Sequence, residues 1–508
     1  MSDFGHVRTY NYTDGIYDWK NDAVNLKFSD QDCPFVWLMG VPDGIYFGFN
    51  SLANWVNAPK DPHLRIFRKA DGVELNADVI TKSAVLKGKA AYCWTIMPTP
   101  VRPMPANRRT LNWGSWRMPA GINLRGMGGT TIHNYLHWED LTSLSSMIPR
   151  DPEAMKANLA ADKSGLKRPI YAMPVHISSN DPEYDYLAAS TAQLPSTSSH
   201  KWTKANKVVT NMPSCGHTEA GNMMAYRTEK LFQDMPMLYG IYFDIANAKT
   251  CRNTMHGHGG VDAFGQSFHT STELPLRGFF LRIWKLAQKY DKQILLHVSA
   301  GKFTPVTHSY QHGFAPGEEL YGPFAANPDY FYCEIPANRW QTLYNPEVYG
   351  TELFFLYQQR RSALGHPHLR HRQKAFLEEP EWTYRSLTPV ILHDTNIWND
   401  WANDNTVAKW WKIRTDIGLT HAVFTGYWNG CPVKSTSKDI RVSSYSWSTP
   451  MPYKTLLAVG NFSRKALPAG LELPEGDYTE LWNNRKITAE ELKTITIPGN
   501  HFLLIGIK

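Results

Sequence analysis

Several patterns that define large protein classes are missing from this chain of 508 residues. Its six cysteines are scattered and form no C-x-x-C pair, which argues against a zinc ribbon or a disulfide scaffold. No run of about 18 apolar residues is present, so the sequence predicts no membrane span. The opening segment, MSDFGHVRTYNY, has no charged-then-apolar signal pattern. The chain is therefore expected to be cytoplasmic as written, unless a signal has been removed.

The chain also lacks long runs of positive or negative charge. The net charge of +7 is spread thinly, and the densest basic run, HPHLRHRQK at residues 366–374, is short. A solvated face or a loop for an anionic substrate explains this run as well as nucleic acid does. No DNA- or RNA-binding motif accompanies it, so we expect no nucleic-acid partner.

Aromatic residues, in contrast, are abundant: 18 Trp, 25 Tyr and 22 Phe make up 13% of the chain. Many of them are expected in the core. Flat rings also pack on the apolar faces of pyranoses, while a polar ring edge stays available for hydrogen bonding. The composition therefore suits a carbohydrate partner.

The order of the predicted elements divides the chain into three parts. Residues 1–88 are predicted to be a β-rich domain, residues 89–442 alternate strand, loop and helix, and residues 443–508 return to short strands. Eight strands are predicted in the middle part, at residues 91–97, 130–136, 169–175, 240–243, 293–298, 330–333, 388–392 and 422–427. Eight such units favour an α/β fold, a (β/α)8 TIM barrel flanked by N-terminal and C-terminal antiparallel β domains. A doubly wound open sheet is the alternative, but no G-x-G-x-x-G motif follows an early strand.

Helices are predicted between several of these strands. Asp151 followed by Pro152 is a typical helix start, with an N-cap and a proline at the first helical position. Apolar residues recur at helical spacing over residues 276–290 and 407–417, before the fifth and eighth predicted strands.

The stretch YGIYFDIANAKTCRN, residues 239–253, shows how the middle part presents polar groups. A short apolar run stops at Asp244 and opens into a polar loop, which is how a parallel barrel presents a catalytic acid. Capping of the next turn is the alternative role for Asp244. Polar or aromatic groups follow other predicted strands in the same way, namely His137, Trp138, Glu139, Asp140, His297, Ser299, Glu334, His393, Asp394, Tyr427, Trp428 and Asn429. We therefore predict an active site at these strand ends.

The chemistry that suits these groups is glycoside hydrolysis, which needs one protonated acid and one ionised carboxylate. Asp244 is predicted to be the nucleophile or base, and Glu334 the general acid/base, since the apolar residues 330–332 favour a raised pKa for Glu334. An ion pair with Arg339 is the alternative for Glu334, and Asp394 is the main rival to either carboxylate. Contacts with substrate are predicted for His137, Trp138, His256, His297, Arg339, Trp340, His393, Asn396, Trp398 and Trp428.

The loop after Asp244, CRNTMHGHGGVD, contains Cys251, His256 and His258. Cysteine and histidine are good zinc ligands, but this spacing matches no closed zinc site. A substrate-binding or loop-ordering role is therefore expected, with no metal and no cofactor. Two alternatives stay open: a metal-dependent hydrolase or lyase using these three residues, and a non-catalytic carbohydrate-binding barrel.

Three stretches carry a family resemblance: CWTIMPTPVRPMP, YGIYFDIANAKTCRNTMHGHGGVD and LTPVILHDTNIWNDW. They resemble the glycoside-hydrolase-like (β/α)8 barrel family formerly of unknown function and related to glycoside hydrolase family 123. The resemblance implies a bacterial carbohydrate-degrading enzyme that acts on a poly- or oligosaccharide. Proteins of this type are usually exported, which implies a periplasmic or extracellular location.

The family pattern is not matched at every position. Family 123 is associated with N-acetylgalactosamine substrates and an adjacent Asp-Glu pair, whereas Asp244 is followed by Ile245. Neither that substrate nor the substrate-assisted mechanism is therefore expected here. An aspartate on the fourth strand with an acid on the sixth is more similar to the retaining α-galactosidase type of barrel, by architectural analogy.

Overall fold

The computed structural model describes residues 6–9, 16–18, 24–29, 33–70, 72–106, 108–114, 130–133, 140–162, 167–195, 200–204, 207–298, 304–327, 334–357, 367–372, 375–399, 402–449 and 451–508. The chain divides into two compact units. Unit 1 comprises Met1–Pro103, Tyr135–Asp162 and Arg168–His312, and unit 2 comprises Met104–Asn134, Lys163–Lys167 and Gly313–Lys508. The predicted division into three domains stays a prediction.

The strands, in chain order, are β1 (His6–Thr9), β2 (Ile16–Asp18), β3 (Val24–Leu26), β4 (Phe35–Met39), β5 (Gly44–Phe49), β6 (Leu64–Lys69), β7 (Gly72–Ala77), β8 (Trp94–Thr99), β9 (Leu111–Gly114), β10 (Thr130–His133), β11 (Pro169–Ala172), β12 (His176–Ser178), β13 (His200–Lys204), β14 (Lys207–Pro213), β15 (Gly240–Phe243), β16 (Thr250–Cys251), β17 (Gly259–Val261), β18 (Ser267–Ser271), β19 (Gln293–His297), β20 (Gly313–Ala315), β21 (Glu352–Leu356), β22 (Asn396–Trp398), β23 (Val423–Thr425), β24 (Ile440–Ser446), β25 (Thr455–Asn461), β26 (Leu467–Pro468), β27 (Tyr478–Glu480), β28 (Arg485–Ile487), β29 (Thr496–Ile497) and β30 (Phe502–Ile507).

The α-helices are α1 (Pro152–Ala161), α2 (Tyr184–Thr191), α3 (Glu219–Asp234), α4 (Glu273–Lys289), α5 (Tyr321–Ala326), α6 (Ala337–Gln341), α7 (Pro346–Tyr349), α8 (Ala375–Glu378), α9 (Pro380–Leu392), α10 (Asp404–Asp416) and α11 (Ala489–Thr494). Short 3-10 helices cover Thr254–His256, Glu318–Leu320, Pro367–Arg372 and Leu419–His421.

Unit 1 contains three strands that pair in parallel in the order β11–β15–β19. Nearly all their side chains are buried, as expected for strands covered on both faces. Ile241 and Phe243 of β15 share a core with Phe279, Phe280 and Ile283 of α4. Parallel pairing places the three carboxyl ends at one edge of this sheet.

The helix starts and stripes predicted in unit 1 are confirmed. Oδ1 of Asp151 accepts a hydrogen bond from the backbone N–H of Ala154 at 2.9 Å, which caps α1. The buried face of α4 includes Leu276, Ile283 and Ala287 from the predicted stripe. No helix in the described part of the chain is long and apolar enough to span a membrane.

The earlier part of unit 1 is antiparallel. Its sheets have the orders β2–β1–β4–β5–β8 and β3–β6–β7. The alternating burial of β6 is typical of a strand with one face on a core and one towards solvent. Two smaller antiparallel sheets, β12–β14–β13 and β16–β18–β17, come later in the chain.

Unit 2 combines a parallel sheet, in the order β10–β9–β22–β21–β20, with an antiparallel sheet, in the order β23–β24–β25–β30–β27–β28. The antiparallel sheet packs its inner face around Val459, Leu471 and Leu492. The α/β class and the C-terminal antiparallel sheet agree with the sequence. A closed eight-stranded barrel stays a prediction.

Three of the predicted barrel strands are wrong. Residues 91–97 overlap β8, which pairs antiparallel with β5, and residues 422–427 overlap β23, which pairs antiparallel with β24. Residues 388–392 are the last turns of α9, because a short, fully buried apolar run has the same pattern in a strand and in a buried helix. Residues 330–333 lie outside the described residues.

Candidate active site

Asp244 lies directly after β15, at the carboxyl edge of the parallel sheet in unit 1. Its Oδ2 atom accepts a hydrogen bond from the hydroxyl of Tyr171 on β11 at 2.5 Å. Its Oδ1 atom lies 2.8 Å from Nδ1 of His297 on β19. The hydroxyl of Tyr242 lies 2.7 Å from the same imidazole nitrogen. Three adjacent parallel strands therefore converge on one carboxylate.

The surroundings of Asp244 favour its ionised form. Burial by itself raises the pKa of this carboxyl, but the charge and hydrogen bond of His297, with hydrogen bonds from Tyr171 and the N–H of Ile245, lower the pKa below its usual range. The side chain keeps 20% exposure, so a substrate can reach it. An ionised and accessible carboxylate fits a nucleophile or a base better than a proton donor.

The backbone immediately after Asp244 is strained. Ile245 has a φ of 53°, which β-branched residues rarely adopt. Its N–H donates to Oδ1 of Asp244 at 2.7 Å, and the N–H of Ala246 donates to the carbonyl of His297 at 3.1 Å. Such strain persists only where surrounding contacts hold it, and it is concentrated at functional sites.

Asp394, the predicted rival, is a buried ion-pair partner in unit 2. Nε and Nη2 of Arg109 contact its two oxygens at 2.7 and 2.6 Å, and Arg108 also donates to Oδ2. Burial raises the pKa of Asp394, but the charges of Arg108 and Arg109 outweigh burial and lower it. With a side chain only 5% exposed, this carboxylate is better placed to hold the fold than to contact a substrate.

His393 belongs to an aromatic cluster in unit 2. Its ring stacks on Trp340 and Trp428, with centroids 5.5 and 5.1 Å away, and its Nε2 lies 2.9 Å from the hydroxyl of Tyr427. Burial lowers the pKa of His393 to about 3, so its imidazole is neutral. Trp340 is buried, whereas Trp428 is half-buried and keeps a surface on which a sugar can stack.

Glu334, the predicted acid, is exposed and forms an ion pair with Arg464. Its predicted alternative partner, Arg339, lies half-buried on α6. The apolar residues 330–332 that favoured a raised pKa lie outside the described residues, as do His137 and Trp138. The assignment of Glu334 therefore rests on the sequence.

Asn396 and Trp398 form part of β22 in unit 2. The side-chain amide of Asn396 donates to the carbonyl of Leu111 at 2.8 Å. Trp398 stacks on Trp113 with centroids 4.7 Å apart and is 4% exposed. The side chains of Asn396 and Trp398 therefore form contacts with neighbouring residues of the sheet.

Sequence reasoning missed Glu318. This residue follows β20, a strand of three residues, and begins the 3-10 helix Glu318–Leu320. Its side chain is buried, at 6% exposure. The pair Glu318-Glu319 after an apolar run could have indicated acids at a strand end. Pro316 and Gly317 between the run and the pair are typical of a turn, so the sequence did not predict a strand there.

A second cluster of functional groups lies within unit 1. Cys215, Cys251, His256 and His258 each place one potential metal-ligand atom within 4.8 Å of the others. The Sγ of Cys251 lies 3.3 Å from Nε2 of His256, and the Sγ of Cys215 lies 3.5 Å from Nδ1 of His258. Sequence reasoning found three of the four residues, but Cys215 follows β14 and is brought to them only by folding.

No protein-family model and no curated protein matches this sequence. The chain is similar in structure to an alpha-amylase from Lactobacillus plantarum, with 11% identity, a TM-score of 0.50, and coverage of 79% of this chain and 99% of that chain. It is also similar to the galactosidase domain of an alpha-galactosidase-sucrose kinase, AgaSK, with 9% identity, a TM-score of 0.50, and coverage of 99% of this chain and 74% of that chain. At these identities the likeness shows a shared fold and no more.

Proposed function

We propose that this protein is a glycoside hydrolase that cleaves O-glycosidic bonds of a poly- or oligosaccharide, with Asp244 as its ionised carboxylate. The observation that carries the proposal is the setting of Asp244: a strand-end carboxylate, partly exposed, held ionised by His297 and Tyr171. The fold shared with an alpha-amylase and a galactosidase domain supports the reaction class. The resemblance to the family related to glycoside hydrolase family 123 leads to the same expectation from the sequence.

Each side chain around Asp244 has a defined role in this proposal. In a retaining reaction one Oδ atom attacks the anomeric carbon while the glycosidic bond breaks and the proton donor protonates the leaving oxygen. In an inverting reaction the carboxylate instead takes a proton from the water that attacks this carbon as the same bond breaks. Nδ1 of His297 contacts one oxygen of the carboxylate, and the hydroxyl of Tyr171 keeps the other oxygen oriented. Both contacts stabilise the ionised form before substrate arrives.

The reaction also needs a proton donor, and the described part of the chain offers two candidate glutamates. Glu334, the acid predicted from the sequence, is exposed and forms an ion pair with Arg464. Glu318 is buried and follows the carboxyl end of the parallel strand β20, which is where a barrel-type fold places its catalytic groups. We assign the donor role to Glu318 and keep Glu334 as the alternative.

The proposal is tested by product release from a panel of bacterial, plant and host-type glycans. Native protein is compared with Asp244→Asn and with the control Asp234→Asn, which changes an exposed aspartate at the end of α3. Cleavage by the native and control proteins, with at least a ~10³-fold loss for Asp244→Asn, is expected for a missing catalytic carboxylate. Equal cleavage by all three proteins would remove Asp244 from the chemistry.

The proton donor is tested with aryl glycosides of the sugar identified by the panel. A good leaving group departs without protonation, so a variant lacking the acid keeps activity on an activated aryl glycoside and loses it on a natural one. We expect this pattern for Glu318→Gln and near-native behaviour for Glu334→Gln. The reverse pattern would restore Glu334 as the acid.

A non-catalytic carbohydrate-binding protein is the outcome that opposes this proposal. Binding of a glycan from the same panel, without product from any natural or aryl glycoside, would establish it. In that case Asp244 would serve as a hydrogen-bond acceptor for sugar hydroxyls.

A further inference from the structure

The cluster of Cys215, Cys251, His256 and His258 has the distances of a tetrahedral metal site. Zinc bonds of about 2.3 Å to sulfur and about 2.0 Å to nitrogen place neighbouring sulfur and nitrogen ligands about 3.5 Å apart in a tetrahedron. Two of the four sulfur–nitrogen pairs in the cluster are 3.3 and 3.5 Å apart. All four atoms lie within 4.8 Å of one another, so the cluster is compact enough to share one ion.

Outer contacts orient the ligand atoms. Nδ1 of His256 lies 2.8 Å from the carbonyl of Ser190, so this nitrogen carries the proton and leaves Nε2 free to face Cys251. The backbone N–H of Asn253 donates to the Sγ of Cys251 at 3.5 Å. Hydrogen bonds of this kind are the usual support of metal-bound imidazole and thiolate.

The loop that carries three of the ligands is rigidly held. The side-chain amide of Asn253 donates to the carbonyls of Ala189 and Ala192 at 3.0 and 2.9 Å, which fastens the loop to the end of α2. The N–H of His258 donates to the carbonyl of Asn253 at 3.0 Å. Gly257 between the two histidines has a φ of 78°, which lets the chain reverse so that both rings face inward.

The chemistry of the cluster suits a divalent cation. Two cysteine thiolates and two neutral imidazoles bind a divalent ion at zero net charge, and binding releases the thiol protons.

We propose that Cys215, Cys251, His256 and His258 bind one zinc ion in a closed, structural site that ties the loop after Asp244 to the segment after β14. Two cysteines and two histidines are a typical structural zinc set, and four protein ligands leave no open position for a reacting group. His217, whose ring centroid lies 4.4 Å from that of His258, packs against the site from outside. The metal therefore stabilises the loop and takes no part in bond cleavage, so this inference stands whether or not the protein is a glycosidase.

The experiment measures metal in the untagged full-length chain, purified without chelator, by elemental mass spectrometry. We expect about one zinc per chain in native protein, and at least ~10-fold less in Cys251→Ser and His256→Ala, because a lost ligand weakens a structural site more than a lost outer contact does. The matched controls Cys93→Ser and His421→Ala, which change exposed residues outside the cluster, keep the native zinc content.

Two further measurements on native protein remove any dependence on whether the variants fold. Chelator-stripped protein reconstituted with Co²⁺ should show the thiolate-to-cobalt charge-transfer band of a tetrahedral site. Stripping should also accelerate hydrogen exchange in residues 251–258, and zinc should reverse this. No zinc and no cobalt spectrum, or an intact mass that reveals a Cys215–Cys251 disulfide, would overturn the proposal.

Discussion

Nδ1 of His297 lies 2.8 Å from Oδ1 of Asp244, and the two residues end adjacent parallel strands, β19 and β15. The parallel register of these strands is what brings the imidazole to the carboxylate. The imidazole of His297 favours the ionised form of Asp244. The hydroxyl of Tyr171 donates a second hydrogen bond to the same carboxylate. Predictions about acid–base behaviour and about the sheet follow from this arrangement.

Removing the hydroxyl of Tyr171 should move the acidic limb of the pH–rate profile. A hydrogen bond to a charged group contributes about 1.5–3 kcal/mol, so Tyr171→Phe should raise the pKa of Asp244. The pH profile of kcat/KM reports the pKa values of the free enzyme, so its acidic limb then shifts to higher pH. Tyr239→Phe, which changes the residue just before β15, is the control and should leave the limb in place. An unmoved limb in Tyr171→Phe would show that Asp244 does not govern it.

Gly240 should be intolerant of any side chain. A Cβ atom at this position would lie 1.9 Å from the carbonyl oxygen of Gln293, so Gly240→Ala pushes β15 away from β19. Overpacking of this kind costs about 3 kcal/mol of the free energy of unfolding. Gly278→Ala in α4 meets no atom within 4 Å and should be neutral or stabilising by about 0.5–1 kcal/mol. Urea denaturation compares the two, and equal stabilities would contradict the close approach of these strands.

Asp394 should contribute to stability through its two arginines. Asp394→Asn removes the ion-pair partner of the buried Arg109 and leaves Arg108 with Glu347 at 3.5 Å, which costs about 3–5 kcal/mol of the free energy of unfolding. Asp416→Asn removes the exposed partner of Lys412 and should leave the denaturation midpoint nearly unchanged. A small effect of Asp394→Asn would mean that the arginines find other partners.

The contribution of Asp394 should also depend on pH in a defined direction. Its pKa is lowered in the folded protein, so its stabilising effect is present above the unfolded pKa of about 3.9 and is lost as the pH falls through the folded value. The stability difference between native protein and Asp394→Asn should therefore shrink as urea titrations move from about pH 6 to about pH 3. A difference that widens towards acid would reverse the assigned sign.

Local patterns in the sequence were sufficient for part of the fold and the site. The run Gly240-Ile241-Tyr242-Phe243 ending at Asp244 predicts a buried strand with a carboxylate at its end, and β15 has those bounds. The Asp151 cap and the apolar stripe of α4 are likewise short-range signals. These features depend on neighbouring residues only, which is why a single sequence contains them.

Strand partners were harder to predict, because pairing depends on residues far apart in the chain. The segment at residues 388–392 is apolar throughout, and only its packing shows that it ends a helix. β8 and β23 have ordinary strand patterns, but their antiparallel partners remove them from the predicted barrel.

The sequence by itself determined the α/β class, the carboxylate at the end of β15 and the cysteine and histidine residues of the following loop. Tertiary structure alone decided that Tyr171 and His297 surround Asp244, that Asp394 is enclosed by two arginines, and that Cys215 completes the metal-ligand cluster. The physical reason is distance along the chain. Side chains that share one charge or one ligand set come from separate strands and loops, and their mutual electrostatic effects exist only after folding brings them within a few ångströms.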